Sequence, residues 1–193
     1  MPSDRTDLAR RLAAATPDDT SRGLNYTTLF AMVADHLGPA APAEVDVLGQ
    51  GRRTDFFSYP ITEYLETTWN ALDRLEPAFG GVDATLTELG RRTMAGFLAS
   101  MVGRTALRVT GREPVRLLRS AASGYRGAVS YGERTVEFPG ARQAVLSFRR
   151  DFMPATFHAA VLLTALQATS AIRPRVVGTQ DGPLDSSYRI AWD

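Results

Sequence analysis

The chain has 193 residues, a net charge of +1 and no cysteine. A domain of this length buries roughly 70% of the surface of its unfolded chain, which is enough for a hydrophobic core without covalent cross-links. The lack of cysteine excludes disulfides, thiolate metal sites and a thiol nucleophile, and it fits a reducing compartment, so the cytoplasm is the expected location.

All 22 basic residues are arginine. Arginine suits phosphate recognition, but abundant alanine, glycine and arginine also follow simply from a GC-rich genome. Because 21 acidic residues are distributed among the arginines, the charge balance predicts no nucleic-acid partner and no binding to anionic lipid. The longest apolar run covers residues 159–166 and is far shorter than the ~20 residues of a membrane span. Residues 1–15 carry charges where an export signal would be apolar.

Helical periodicity dominates the chain as far as Gly124. Ser3 can cap a first helix, which forms an arm over residues 1–16. Pro60 falls in the first turn of a later helix, where proline is favoured, and Pro114 starts another. The fifth helical segment, over residues 83–102, is predicted to bury Met101 among its apolar side chains, and its two glycines, Gly90 and Gly96, mark close helix contacts. The predicted helices cover residues 3–14, 21–37, 45–48, 58–75, 83–102 and 114–124.

The last third of the chain alternates between strand and helix patterns. Residues 128–138 and 143–150 alternate in polarity around Pro139 and Gly140, which predicts a β-hairpin. A helix with a buried face that includes Leu162 follows Pro154, and residues 176–192 predict a second hairpin. We therefore predict one α+β domain over residues 1–193, with helices packed on a four-stranded, mainly antiparallel sheet.

Five stretches, spread over nearly the whole chain, carry a family resemblance. They read RRLAAATPDDTSRGLNYTTLF, DFFSYPITEYL, LGRRTMAGFLASMVGRT, SGYRGAVSYGERTVEF and SFRRDFMPATFHAAVLL. Together they resemble a myxobacterial paralogous family of proteins of unknown function.

Two segments also resemble a broader superfamily. These are GLNYTTLFAMVADHLGPAA near the start and FRRDFMPATFHAAVLLTAL with its flanking strands near the end. The superfamily contains haem nitric-oxide and oxygen sensors, 4-vinyl-reductase-type ligand domains and Golgi transport-particle subunits. The resemblance implies helices packed on an antiparallel sheet, with an apolar ligand cavity between them.

The haem-sensor resemblance can be compared residue by residue. Those sensors have a proximal histidine in the helix before the sheet and a tyrosine-x-serine-x-arginine clamp for the haem propionates. Here Tyr125 falls near the histidine position, and the FRRDF segment, with Arg149 and Arg150, falls near the clamp. Tyrosine can ligate ferric haem, and arginine can meet propionates. Neither element is intact, however, so we predict no haem, no other cofactor and no metal.

The remaining candidates are aromatic, histidine and arginine side chains. His36 and His158 are the only histidines and are not accompanied by any catalytic or metal-binding spacing, so catalysis is not predicted. Aromatic and arginine side chains can line a ligand pocket or anchor a partner, although helical spacing equally fits core packing for Tyr64. The pocket or interface candidates are Phe56, Phe57, Tyr59, Tyr64, Trp69, Tyr125, Arg149, Arg150 and His158, with Arg52 and Arg53 as further interface candidates.

Two functional hypotheses of different classes follow. In the first, the chain is a non-enzymatic signalling module that acts through a protein partner or as a homodimer, because a four-stranded sheet has edge strands that must be covered or paired. In the alternative, the chain is a sensor that binds an apolar small molecule between helices and sheet. A haem-binding gas sensor is a third possibility.

Overall fold

The computed structural model describes residues 5–193, apart from the side chains at positions 122 and 123. The predicted cap Ser3 lies outside the described residues. The contacts of the chain define two compact units. Unit 1 contains Met1–Leu89 and Gly127–Tyr131, and unit 2 contains Gly90–Arg126 and Gly132–Asp193. The single domain over residues 1–193 stays a prediction.

Helices occupy most of the chain before residue 125, and strands are concentrated after it. The α-helices are α1 (Arg5–Ala14), α2 (Gly23–Leu37), α3 (Ala41–Val45), α4 (Ile61–Phe79), α5 (Val82–Ala99), α6 (Met101–Val109), α7 (Pro114–Gly124) and α8 (Ala155–Gln167). The strands are β1 (Thr20–Arg22), β2 (Ser58–Pro60), β3 (Glu133–Gly140), β4 (Gln143–Arg149), β5 (Arg175–Gln180) and β6 (Ser186–Ala191).

Unit 1 is built around α4. The helix buries Ile61, Leu65 and Leu72 at helical spacing, and α2 packs against it. It ends at Gly80, whose left-handed φ of 82° lets its N–H reach the carbonyl of Glu76. Strands β1 and β2 pair antiparallel.

Unit 2 contains the four-stranded sheet. The strands are ordered β3-β4-β6-β5, and every neighbouring pair is antiparallel. Apolar side chains of β4 and β6, such as Leu146 and Ile190, form one buried cluster with Leu162 and Leu166 of α8. The predicted α+β class and the order hairpin, helix, hairpin are confirmed.

The predicted helix over residues 83–102 is in fact two helices. Ser100 has an extended backbone, and its Oγ accepts a hydrogen bond from the N–H of Gly103 at 3.1 Å, so it caps a new helix, α6. A Cβ on Gly103 would lie 2.0 Å from the carbonyl oxygen of Phe97, so only glycine lets α6 pack this closely on the preceding helix. As a result Met101, predicted to be buried, is exposed.

Other helix and strand boundaries differ from the predicted ones, because they depend on backbone hydrogen bonds that a local sequence pattern does not reveal. Residues 21–22 and 58–60, predicted as the starts of helices, belong to the paired strands β1 and β2. Residues 128–130, predicted as part of a hairpin, pair with β1 instead. The short helix lies at Ala41–Val45 rather than 45–48, because the carboxylate of Asp46 accepts the backbone N–H groups of the loop that follows.

Gly90 does mark a close helix contact, as predicted. A Cβ there would lie 2.3 Å from the carbonyl oxygen of Phe157 in α8. Gly96, the other glycine of that prediction, is exposed.

We expect Leu162→Ala to lower the free energy of unfolding by about 2 to 5 kcal/mol, because it opens a cavity between α8 and the sheet. Leu48→Ala is the matched control, since Leu48 is exposed and the same change should cost less than about 0.5 kcal/mol. Urea unfolding of both variants measures the difference. Equal losses of unfolding free energy in the two variants would show that Leu162 does not lie on a buried face of α8.

Candidate functional site

A buried network of charged and polar side chains lies where β4 leads into α8. The carboxylate of Asp151 forms an ion pair with Arg134 through Oδ2. Its Oδ1 lies 2.8 Å from Nε2 of His158 and accepts the backbone N–H of Met153 at 3.0 Å. Because all three side chains are at least 96% buried, the carboxylate is bonded within the protein and not to bulk water.

Tyr125 extends this network on the other side of the imidazole. Its hydroxyl lies 3.2 Å from Nδ1 of His158. The imidazole of His158 therefore lies between the Asp151 carboxylate, on its Nε2 side, and the Tyr125 hydroxyl, on its Nδ1 side. The Arg134 guanidinium lies 4.6 Å from the Tyr125 ring centroid and 5.3 Å from that of Phe148, so it also makes cation–π contacts.

Four local structures bring these side chains together. Arg134 occupies an inward-facing position of β3, Asp151 follows β4, His158 lies on the buried face of α8, and Tyr125 forms the 3₁₀ turn after α7. The sequence prediction included Tyr125 and His158 but missed the roles of Asp151 and Arg134. The signal for Arg134 was present in the sequence, since it shares strand parity with the inward-facing Val136 and Phe138.

Two groups of the network, Asp151 and Tyr125, are held in fixed protonation states. Burial by itself raises the pKa of Asp151, but His158, Arg134 and the Met153 N–H outweigh burial, and the pKa is held well below its usual range. Burial, with the nearby Asp151 charge, raises the pKa of Tyr125 far above its ordinary value. The carboxylate is therefore ionised and the phenol neutral at physiological pH.

The residues at this site do not fit haem. A tyrosine ligates ferric haem as a phenolate, whereas the raised pKa of Tyr125 and its hydrogen bond to His158 favour the neutral phenol. Arg149 is exposed and pairs with Asp185 at 3.0 Å, and the Arg150 guanidinium lies 5.2 Å from the Phe152 ring. The clamp that the resemblance implied is therefore not formed by these arginines.

The aromatic candidates of unit 1 divide into a buried group and an exposed pair. Tyr64 and Trp69 are buried in α4, and Tyr64 lies with Tyr26, at 4.9 Å between ring centroids. Tyr59 is partly buried and also contacts Tyr26, at 5.6 Å. Phe56 and Phe57 are 82% and 63% exposed.

The loop of residues 49–54, with the sequence GQGRRT, contains two arginines in opposite environments. Arg53 has a side chain only 1% exposed and forms a bidentate ion pair with Asp46, at 2.8 and 2.7 Å. Its guanidinium lies 4.8 Å from the Tyr26 ring. The charge of Arg53 is therefore used to fold this loop, and its role as an interface residue stays a prediction. Arg52 is exposed.

Unit 2 has an exposed apolar groove between α6 and α7, which we call the α6–α7 groove. Met101, Val102 and Val109 are 77%, 65% and 77% exposed and lie on one stripe of α6. The groove has a volume of about 480 Å³. It is lined by Met101, Val102, Thr105, Ala106, Val109, Thr110 and Ser120. The sequence prediction missed it, because it took residues 83–102 as one helix and buried Met101.

Over residues 5–193, no helix has both the length and the apolar character to cross a membrane. In the same range, no three histidine or acidic side chains are grouped so that they could bind a metal ion.

We expect Asp151→Asn to lower the free energy of unfolding by about 3 to 5 kcal/mol at pH 7, because it leaves Arg134 buried without its counter-charge. The folded pKa of Asp151 lies below its unfolded value of about 3.9, so the stabilisation is full above that pH and is lost as the pH falls further. The difference between wild type and variant should therefore shrink below about pH 4.

Glu113→Gln is the control for this measurement, because Glu113 pairs with Arg116 on the exposed surface of α7. Removing that pair should change stability by less than about 1 kcal/mol. Urea unfolding at several pH values tests both variants. A pH-independent loss in Asp151→Asn would contradict the assignment.

The chain matches one family model, described as "Protein of unknown function (DUF2378)", over residues 14–193. A search of curated protein sequences gives no match. Among solved structures, the chain is similar to an Fe(II) unliganded H-NOX protein from K. algicida. The TM-score is 0.69, the sequence identity 14%, and the similarity covers 89% of this chain and 96% of that chain.

Two other solved structures give the same result. The H-NOX protein from S. oneidensis in the Fe(II)NO state has a TM-score of 0.68 and 10% identity, with 89% of this chain and 99% of that chain covered. An oxygen-binding H-NOX domain related to soluble guanylate cyclases has a TM-score of 0.64 and 12% identity, with 89% and 95% covered. These identities are low, so the similarity shows the fold alone.

The predicted likeness to the haem-sensor fold is confirmed at the level of the fold. The myxobacterial origin of the family stays a prediction. Because the family model matches nearly the whole chain, from residue 14 to its last residue, the chain belongs to the DUF2378 family of proteins of unknown function.

Proposed function

We propose that this chain is a non-enzymatic signalling module that has the H-NOX fold and works by associating with a protein partner or with a second copy of itself. The observation that carries the proposal is the α6–α7 groove. Large apolar side chains are exposed side by side along α6, and contiguous apolar patches of this kind mark interaction sites in soluble proteins.

The buried network favours a structural role over catalysis. A tyrosine nucleophile or acid needs a phenol whose pKa is matched to its task, whereas the pKa of Tyr125 is raised far above that range. Asp151 forms an ion pair with Arg134 and hydrogen bonds with His158 and the Met153 N–H. With its oxygens bonded to these three groups, the carboxylate is not positioned to act as a base. The network therefore supports a module that binds, and not one that converts a substrate.

The exposed pair Phe56 and Phe57 offers a second surface, on unit 1. Aromatic side chains are enriched among residues that dominate binding energy. Phe57 is fixed at its backbone, since its carbonyl accepts the N–H of Gly23 at 2.9 Å, and the Phe56 carbonyl accepts Nη1 of Arg22 at 2.7 Å. This anchored backbone presents both rings to solvent.

The alternative, a sensor for an apolar small molecule, is supported by the volume of the α6–α7 groove, which lies within the range of about 300 to 1,000 Å³ typical of ligand sites. Such sites bury most of their ligand, however, whereas the stripe that lines this groove is largely exposed. An open groove suits a protein segment better than a small molecule.

We expect Val109→Glu to weaken association, because it places a charge in the apolar stripe. Light scattering over a dilution series measures self-association, and affinity capture measures a partner. Val177→Glu is the matched control, since Val177 is an exposed valine of the same unit on the edge strand β5. An effect of Val177→Glu alone would assign association to the sheet edge and contradict the proposal.

We expect added haemin to give no stoichiometric Soret band that depends on Tyr125, since that phenol is hydrogen-bonded and kept neutral. Absorbance titration of wild type and Tyr125→Phe tests this. A Soret band of one haem per chain in wild type that disappears in Tyr125→Phe would support the hypothesis of a haem-binding gas sensor.

A further inference from the structure

The net charge of +1 conceals a strong division along the chain. Residues 1–89 contain 7 arginines and 14 acidic residues, which gives −7. Residues 90–193 contain 15 arginines and 7 acidic residues, which gives +8, and the two values add to the total of +1. The even balance read from the whole sequence therefore does not hold within unit 2, which is strongly basic.

The segment that forms α6 and α7 carries much of this positive charge. Residues 100–126 contain six arginines and one acidic residue, Glu113, so this segment has a charge of +5. Glu113 is itself paired with Arg116 at 2.7 Å. The arginines of the segment are Arg104, Arg108, Arg112, Arg116, Arg119 and Arg126.

Three of these arginines lie close to the apolar stripe. Arg104 and Arg108 are one turn apart on α6, at the edge of the stripe formed by Met101 and Val109, and both are exposed. Arg116 lies one turn before Ser120, which lines the groove on α7, and its side chain is 64% exposed. The apolar stripe of α6 thus has two exposed arginines along its edge, and a further exposed arginine lies on α7.

From this arrangement, and resting on the proposed function, we infer that the α6–α7 groove binds an acidic amphipathic helix of a partner protein. An apolar face of the partner helix packs on the stripe of α6, and its Asp and Glu side chains pair with the arginines at the border. Nine residues of α6 span about 13 Å, which is enough to contact two to three turns of a partner helix through positions i, i+3 or i+4 and i+7.

Other occupants match the groove less well. Nucleic acid would use the arginines and leave the apolar stripe exposed to water. A membrane surface would favour a protruding apolar ridge with large side chains, whereas this stripe lines a concave groove. A second copy could offer its acidic residues 1–89, and this occupant is distinguished by experiment.

The test uses the full chain and a defined probe. The probe is a fluorescein-labelled peptide with leucine on one helical face and glutamate on the other. Two controls have the same length: a scrambled peptide of identical composition, and a version with lysine in place of every glutamate. Fluorescence anisotropy should show binding of the acidic helix, weakened about tenfold or more by high salt, and at least about tenfold weaker binding of both controls.

Variants of the chain locate the site. The double variant Arg104→Glu and Arg108→Glu, and separately Val109→Glu, should each weaken binding of the acidic peptide by about tenfold or more. Arg142→Glu with Arg189→Glu is the matched control, because it makes the same charge change at exposed arginines of unit 2 outside the groove. Equal losses in both double variants would show a nonspecific charge effect and overturn the inference.

The failure of this inference is distinguishable from failure of the proposed function. Self-association that depends on Val109, without peptide binding, would replace the acidic helix with a second copy and leave the proposed function intact. Binding to vesicles that contain phosphatidylserine, with the same variant dependence and no peptide binding, would assign the groove to membranes. Absence of peptide binding, self-association and vesicle binding, together with no affinity capture of a partner that depends on Val109, would overturn both the inference and the proposed function.

Discussion

One buried carboxylate constrains most of unit 2. Asp151 is almost completely removed from water, and an ionised carboxylate in that position is tolerated only when it is paired and hydrogen-bonded. Its partners come from a strand and a helix, Arg134 of β3 and His158 of α8, and Tyr125 adds the turn after α7. The relative positions of these elements are therefore fixed by one charge as well as by the hydrophobic core between α8 and the sheet.

This chain has the fold of H-NOX proteins, and its buried charged groups are bonded to one another. Its fold matches that of H-NOX proteins at 10 to 14% identity, and some of those structures contain iron. In unit 2 the polar groups of the described network bond to one another. In unit 1 the Arg53 guanidinium is likewise used internally, against Asp46. In both units, side chains with the chemistry of ligand binding stabilise the protein itself.

The parts of the structure that the sequence predicted are those governed by local periodicity. The buried face of α8, which includes Leu162, and the two hairpins follow from alternation between periods of 3.6 and 2. The ion pairs of Arg134 with Asp151 and of Arg53 with Asp46 join residues 17 and 7 positions apart through tertiary packing, which no periodicity encodes. The break at Ser100 was missed because the apolar pattern continues across it, and a single serine cap decides the geometry.

The helices that line the α6–α7 groove are connected along the chain to the buried Asp151 network. A nine-residue helix is too short to be stable alone, so α6 depends on its Ser100 cap, on close packing at Gly103 and on neighbouring side chains. Its partner in the groove, α7, ends at Gly124, and the next residue is Tyr125, whose hydroxyl bonds to His158. A molecule that packs on α6 and α7 thus acts on a helix that leads directly into the Asp151 network. The hydrogen bond between Tyr125 and His158 is the contact of that network that lies next to α7 along the chain.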